Sequence, residues 1–131
     1  MILDTSVLAA ILFGEPEAER YVRIIRDADR CLISVANFVE LSLVIESQLG
    51  PDGSRQCDVF FRRAGILIEP VTVEQGHLAR QAFLDFGKGR HPAGLNFGDC
   101  FAYALAKATR EALLFKGEDF RNTDIVPADR E

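Results

Sequence analysis

Several residue types that mark particular protein classes are scarce in this chain of 131 residues. It has no Trp and two His, and its three Cys show no paired metal-ligand spacing. A disulfide framework and a Cys/His zinc site are therefore not indicated, and we expect a reducing, cytoplasmic location. The longest apolar stretches, such as 101–106, are too short to cross a bilayer. The first residues also lack the pattern of a secretory signal, so we expect no membrane segment.

The motifs of several enzyme classes are absent as well. No Gly-x-Gly-x-x-Gly follows an apolar strand, and no Gly-Lys-Ser/Thr loop is present to cradle a phosphate. Only two His are present, His77 and His91, and a predicted helix end and a loop separate them, which disfavours metal-free acid–base cleavage of RNA. The net charge of -5 argues at first sight against a nucleic-acid partner. An acidic site with a basic rim would give the same balance, so charge alone leaves the partner open.

The sequence does contain an alternation of short apolar strands and helices. Its length and its 48% of hydrophobic residues fit one domain over residues 1–131. Strands are predicted at 1–3, 31–33, 66–68 and 113–115, with 125–126 as a candidate fifth. Six helices are predicted, near 5–12, 15–30, 35–49, 54–64, 73–86 and 97–109. This alternation is typical of an α/β fold whose parallel sheet is covered by helices on both faces.

The predicted helix ends carry local signals. Thr5 and Ser6 offer a cap for the first helix. Ser34 and Asn96 are predicted to cap the third and the sixth helix. The pair 50–51, Gly followed by Pro, is expected to stop the third helix.

Four acids lie where the predicted strands end or the following helices begin. Asp4 directly follows the first strand, and Asp119 comes shortly after the fourth. Glu40 lies on the helix after the second strand, and Asp99 lies in the first turn of the last helix. Sites in parallel sheets form beyond the carboxyl ends of the strands, so we expect these acids near one edge. Their mutual repulsion would be relieved by Mg²⁺ or Mn²⁺, which prefer oxygen ligands and can activate water for phosphodiester hydrolysis.

Each acid also has an ordinary structural explanation. Asp99 could be present only because the helix dipole favours an acid in the first turn, and Asp4 could cap the first helix. Glu40, within the apolar stretch 38–45, could pair with an Arg, and Asp119 could be a turn residue. Any one of these explanations is reasonable alone, but all four together are much less so.

The segments around these acids resemble a known family. They are the opening 2–8, the helix that carries Ser34, Asn37 and Glu40, and the segments 95–106 and 113–125. Together they resemble PIN-domain toxins of the VapC type along essentially the whole chain. The resemblance implies a three-layer α/β/α fold with a short, mostly parallel sheet of four to five strands. It also implies a Mg²⁺- or Mn²⁺-dependent endoribonuclease of a type II toxin–antitoxin system, a homodimer, and a VapB-type antitoxin that inhibits it.

The resemblance also assigns roles to single residues. The acids that match its catalytic metal ligands are Asp4, Glu40, Asp99 and Asp119. Ser6 matches a position whose hydroxyl supports the first acid. Because Glu118 lies beside Asp119, and Asp124 follows shortly after, either of these two could be the fourth acid instead.

An acidic site needs cations around it to hold an RNA backbone. The candidate substrate-binding residues are Lys88 and Arg90, in the loop before the last helix, and Lys116, just after the fourth strand. Transfer RNA and ribosomal RNA are both candidate substrates. Because the third helix is apolar nearly all round, we expect a dimer surface on the second and third helices.

Two other functions start from the same residues. The first is a non-catalytic nucleic-acid or partner-binding module, and the presence of all four acids argues against it. The second is a phosphotransfer protein that uses Asp4 as its acceptor. It is disfavoured because Ser6 stands where such enzymes need a second Asp.

Overall fold

The centre of the fold is a four-stranded parallel sheet, shown by a computed structural model that describes residues 1–129. The last two residues of the predicted domain 1–131 lie outside the described range. The strands are β1 (Ile2–Leu3), β2 (Leu32–Ser34), β3 (Leu67–Glu69) and β4 (Leu113–Leu114). They are arranged in the order β3-β2-β1-β4, and all neighbours are parallel. The predicted α/β class and parallel sheet are confirmed.

Five α-helices accompany the sheet within the described range. They are α1 (Thr5–Leu12), α2 (Ala18–Asp27), α3 (Val35–Ala64), α4 (Val73–Phe86) and α5 (Phe97–Thr109), followed by a 3-10 turn (Asp119–Asn122). The side chains of Ser34 and Asn96 cap α3 and α5, as predicted. The cap of α1 is Asp4 rather than Thr5 or Ser6, because β1 ends one residue before Asp4 and the Asp4 carboxylate accepts from the Ser6 N–H.

The third and fourth predicted helices form one helix, α3, with a break at Gly50. Gly50 has φ 69° and ψ −164°, a conformation that is not helical and that glycine adopts most readily. Pro51 then starts the second arm of α3, because its fixed φ suits the first helical position. The predicted stop is confirmed, but the second arm begins at Pro51 rather than near Ser54.

The predicted fifth strand at 125–126 is not formed in the part of the chain that the structure describes. An isolated bridge pairs Leu113 of β4 with Pro127 instead. The Leu113 N–H donates to the Val126 carbonyl at 3.0 Å, and the Ala128 N–H donates to the Leu113 carbonyl at 2.9 Å. Because Pro127 has no N–H, it cannot contribute a donor to a longer ladder.

The sheet separates two halves of the core, because successive strand residues point to opposite faces. Ile2 belongs to a buried cluster with residues of α4 and α5, whereas Leu3 belongs to one with residues of α1, α2 and α3. The predicted three-layer arrangement is therefore confirmed. Among the described residues, no helix has the length and apolar character to cross a membrane.

The strand order also positions the site. After β1 the chain moves outward through β2 to β3, and it then crosses back to place β4 on the other side of β1. Connections thus leave β1 and β4 in opposite directions, and in open parallel sheets ligands bind beyond the carboxyl ends of such strands. We call this region the crevice. Asp4 directly follows β1 at this crevice.

Candidate active site

Asp4 is a buried acid at the carboxyl end of β1, with 5% of its surface exposed. Its N–H donates to the Leu114 carbonyl of β4 at 3.0 Å, which holds it beside the crevice. Its carboxylate accepts two hydrogen bonds from Ser6, one from the N–H at 3.1 Å and one from the hydroxyl at 2.6 Å. Burial raises the pKa of Asp4, these hydrogen bonds oppose the rise, and the charge of Glu40 adds to it.

Ser6 connects the ends of the two central strands. Its hydroxyl donates to Asp4 and accepts from the backbone N–H of Lys116, which follows β4, at 3.0 Å. A hydroxyl has one hydrogen to donate and lone pairs to accept, so the two bonds are compatible. The contact is the one expected of a residue that supports the first acid, and the effect of Ser6 on cleavage stays a prediction.

Glu40 lies half-buried in the second turn of α3. Its Oε1 accepts from the Thr5 hydroxyl at 2.6 Å, and the Asn37 amide nitrogen lies 3.5 Å from the same atom. Its carboxylate also lies against α5, since a Cβ built on Gly98 would be 2.3 Å from Oε2. Within residues 1–129 the donors to Glu40 are therefore uncharged, and no Arg of this range pairs with it.

Asp99 lies half-buried in the first turn of α5, where it completes the helix cap. Its N–H donates to the Asn96 side chain at 2.9 Å, and its carboxylate accepts from the Asn96 N–H at 3.1 Å. Burial raises the pKa of Asp99 to about 7 despite the second of these bonds, and the charges of Asp4, Asp119 and Glu40 add to the rise. Asp99 thus caps α5 and shares one electrostatic environment with the three other acids.

The surroundings of the three candidates for the fourth acid differ. Asp119 begins the 3-10 turn, and its charge raises the pKa of Asp99. Glu118 is largely exposed and pairs with a neighbouring Arg at 3.7 Å. Asp124 accepts a hydrogen bond from the Lys107 amine at 2.8 Å. Glu118 and Asp124 each face a cation, so Asp119 stays the predicted fourth acid.

The chemistry of the four acids can be compared with what a divalent cation needs. Within residues 1–129, no three or more His, Cys, Asp or Glu side chains form a ready-made metal site. All four candidates nevertheless carry the oxygen ligands that Mg²⁺ and Mn²⁺ prefer. Burial and mutual repulsion raise the pKa of both Asp4 and Asp99, and a bound cation would remove that penalty. The donor set therefore fits a hard divalent cation.

The predicted substrate-binding residues have different surroundings. Lys88 and Arg90 are exposed in the loop before α5, and the Arg90 guanidinium lies 5.6 Å from the centre of an aromatic ring of α4. The Lys116 amine lies 3.0 Å from the Glu15 carboxylate and 3.2 Å from that of Glu17. Hydrogen bonding to Glu15 raises the pKa of Lys116. An RNA phosphate would therefore compete with two glutamates for Lys116.

Three residues that contact the site were not among the predicted site residues. Asn37 carried a signal, since it stands one helical turn before Glu40 in an otherwise apolar stretch. Thr5 was predicted only as a helix cap, yet its hydroxyl binds Glu40. Gly98 gave no local signal, because the need for a missing side chain arises only when α3 packs against α5.

Comparison with known proteins identifies the class to which this fold and site belong. The family model of the PIN domain matches residues 1–126. Its match covers nearly the whole described chain. The chain therefore belongs to the PIN-domain family.

Relatives and solved structures narrow this identification. Ribonuclease VapC30 of Mycobacterium tuberculosis is 47% identical over 126 residues, which are 96% of each chain. The crystal structure of Mycobacterium tuberculosis VapC20, described as a sarcin-ricin loop cleaving toxin, has a TM-score of 0.77 at 16% identity and covers 95% of both chains. That of VapBC2 from Rickettsia felis, bound to promoter DNA, has a TM-score of 0.70 at 15% identity, over 96% of this chain and 95% of that one. Within the PIN-domain family, the chain is a member of the VapC ribonucleases, and the resemblance seen in the sequence is confirmed.

Proposed function

We propose that this chain is the toxin of a type II toxin–antitoxin system and hydrolyses RNA in the cytoplasm as a Mg²⁺- or Mn²⁺-dependent endonuclease. The supporting observation is the crowding of negative charge around Asp99, which Asp4, Glu40 and Asp119 share. These acids come from separate parts of the sequence, and the charges that act most strongly on the pKa of Asp99 are all negative. Membership of the VapC ribonucleases supports the same activity.

The chain's own residues would hold and orient the cation. The proposed ligands are Asp4, Glu40, Asp99 and Asp119. When bound, a divalent cation polarises a phosphoryl oxygen and lowers the pKa of a water molecule. Hydrogen bonds from Ser6 and Thr5 orient Asp4 and Glu40 before any cation binds. Such support reduces the reorganisation that binding would otherwise require.

We further infer that the RNA backbone contacts the exposed basic residues of the loop before α5. Lys88 and Arg90 are the proposed contacts, because cations near an acidic site attract phosphates. Lys116 would contribute only where a phosphate displaces the carboxylates that now bind it. VapC20 is described as cleaving the sarcin-ricin loop. For this chain, transfer RNA and ribosomal RNA are both candidate substrates.

Incubation of purified protein with total RNA tests the proposed activity. We expect shortened RNA with Mg²⁺ or Mn²⁺ and intact RNA with EDTA, because the proposed chemistry needs the cation. The Asp99→Asn variant in Mg²⁺ should behave like wild type in EDTA. Cleavage that EDTA leaves unchanged would contradict the mechanism. RNA that is bound but never shortened with either ion would favour the non-catalytic binding module.

We also propose two protein partners, a VapB-type antitoxin that blocks the site and a second copy of this chain. Membership of the VapC ribonucleases supports the antitoxin. A stripe of apolar residues on α3 supports the homodimer, since Val35, Val39 and Leu43 are 37%, 48% and 64% exposed at helical spacing. A monomeric mass by light scattering at micromolar concentration would count against the homodimer.

A further inference from the structure

The side chain of Asn37 connects the two helices that carry Glu40 and Asp99. It is fully buried, with none of its surface exposed. Its amide nitrogen donates to the Gly98 carbonyl of α5 at 2.9 Å and lies 3.5 Å from Glu40 Oε1. One amide group therefore touches both the acid of α3 and the residue that precedes the acid of α5.

The orientation of this amide follows from its surroundings. The Gly98 carbonyl and the Glu40 carboxylate are both acceptors, so only the NH₂ end of Asn37 can face them. Its oxygen Oδ1 is buried and has no hydrogen-bond partner in the described structure. A buried acceptor without a partner is unfavourable. The structure thus keeps the donor end in place at the expense of the acceptor end, which indicates that donation is the role of Asn37.

Glu40 is held from two sides at one oxygen. The Thr5 hydroxyl donates to Oε1 at 2.6 Å, and the Asn37 amide approaches that same oxygen. The other oxygen, Oε2, lies against Gly98, where a Cβ would be 2.3 Å away. No described side chain donates a hydrogen bond to Oε2, so this atom remains available for a ligand.

Gly98 is a second requirement of this arrangement. Glycine is disfavoured inside helices, yet Gly98 occupies the first turn of α5 beside the cap. Its φ lies in the ordinary range, so backbone conformation does not explain the glycine. The space it leaves is filled by the Glu40 carboxylate. Close approach between α3 and α5 is therefore the physical reason for glycine here.

We propose that Asn37, Thr5 and Gly98 are positioning residues that hold Glu40 with Oε1 anchored and Oε2 directed to the proposed cation. The inference rests on the proposed function, because it assigns Glu40 to a cation site. It adds that the separation of Glu40 and Asp99 is set by one amide and one missing side chain. None of the three residues contacts the cation in this account.

The direct readout is the affinity for Mn²⁺, measured by electron paramagnetic resonance of the free ion without RNA. We expect Gly98→Ala to weaken binding about tenfold or more, because loss of ligand support has that effect on metal sites. The matched control is Gly76→Ala in α4, where a Cβ would meet nothing within 4 Å. This control should bind Mn²⁺ like wild type.

Two further pairs of variants separate positioning from general stability. Thr5→Val removes the hydroxyl and should weaken Mn²⁺ binding to a similar extent, whereas Thr5→Ser keeps the hydroxyl and should restore it. Asn37→Ala should also weaken binding. Its control is Ser42→Ala, which also removes a side-chain hydrogen bond of α3. That bond goes to the Phe38 carbonyl and not to the site. Circular dichroism and thermal unfolding check that each variant is folded.

The outcomes distinguish this inference from the proposed function. If folded Gly98→Ala and Thr5→Val bind Mn²⁺ as wild type does, the positioning role is wrong while the cation site stands. If wild type binds no Mn²⁺, or Asp99→Asn binds it equally well, the cation site is wrong and the positioning role falls with it. If Asn37→Ala does not fold, Mn²⁺ binding by the Gly98 and Thr5 variants still decides whether the positioning role is right.

Discussion

Acids at the crevice and acids elsewhere on the chain differ in what neutralises them. Asp124 lies against α5, where it accepts from the Lys107 amine at 2.8 Å and the Tyr103 hydroxyl at 2.7 Å. Burial raises the pKa of Asp124, but these hydrogen bonds outweigh it and leave the pKa lowered. The pKa of Asp99 is instead raised to about 7, first by burial, and the charges that act most strongly on it are those of the three other acids. Asp124 thus has its counter-charge within the chain, whereas under the proposed function the crevice acids take theirs from a cation in solution.

The largest expected difference between the two regions is in RNA cleavage. Asp4→Asn removes a proposed ligand but keeps the cap of α1, because Asn caps helices as well as Asp. We expect the initial cleavage rate in Mg²⁺ to fall by at least about a hundredfold. Asp124→Asn, a matched change outside the crevice, should stay near wild type. Equal losses in the two variants would remove the contrast between the regions.

The next difference is the stabilisation by metal. A ligand that binds only the folded state at about one hundred times its Kd raises the free energy of unfolding by about 2.7 kcal/mol. We expect Mn²⁺ to stabilise wild type and Asp124→Asn in this way, as measured by urea unfolding with and without EDTA. The free energy of unfolding of Asp99→Asn should rise little with Mn²⁺. Stabilisation of Asp99→Asn to the wild-type extent would place the cation elsewhere.

The pH dependence of metal-free protein sharpens the comparison further. The pKa of Asp99 is about 7 in the folded protein, above its ordinary value of 3.8, so the folded state holds a proton that the unfolded state releases between these values. The free energy of unfolding should therefore fall as the pH rises from about 4 to 7. After discounting for partial exposure, we expect about 2 kcal/mol. Unfolding in EDTA across this range should show that slope in wild type and a smaller one in Asp99→Asn, where Asp4 still has a raised pKa.

The smallest effect is expected from the paired acid. The side chain of Asp124 is 53% exposed, and exposed ion pairs contribute under about 1 kcal/mol. Asp124→Asn should therefore lower the free energy of unfolding by less than that amount, with no change in its response to Mn²⁺. A loss of several kcal/mol would show that Asp124 contributes as much to stability as the acids of the crevice do.

The strands and helix caps that position the acids could be predicted from the sequence. Ile2 and Leu3 are apolar because β1 is buried on both faces, and that need is visible in the residues themselves. Ser34 and Asn96 were predicted as caps because capping depends on a few adjacent residues. The expected approach of the acids rests on a topological rule, since parallel strands end at one edge of the sheet, and their role as one site stays a prediction.

The remaining features depend on packing between distant segments. Asn37 donates to Gly98 across 61 positions of sequence, and nothing local indicates that their helices meet. Asp119 and Asp124 are both acids after β4, and they differ because Lys107 and Tyr103 of α5 lie beside the second. The cap of α1 is Asp4 rather than Thr5, because the position of the cap depends on the exact residue at which β1 ends.

The most direct test of a shared cation site is a crystal structure of the protein grown with excess Mn²⁺, with anomalous scattering recorded to locate the ion. We predict an anomalous peak in contact with carboxylate oxygens of both Asp4 and Asp99. No peak in the crevice, with these two carboxylates each bound to a Lys or Arg instead, would contradict the account.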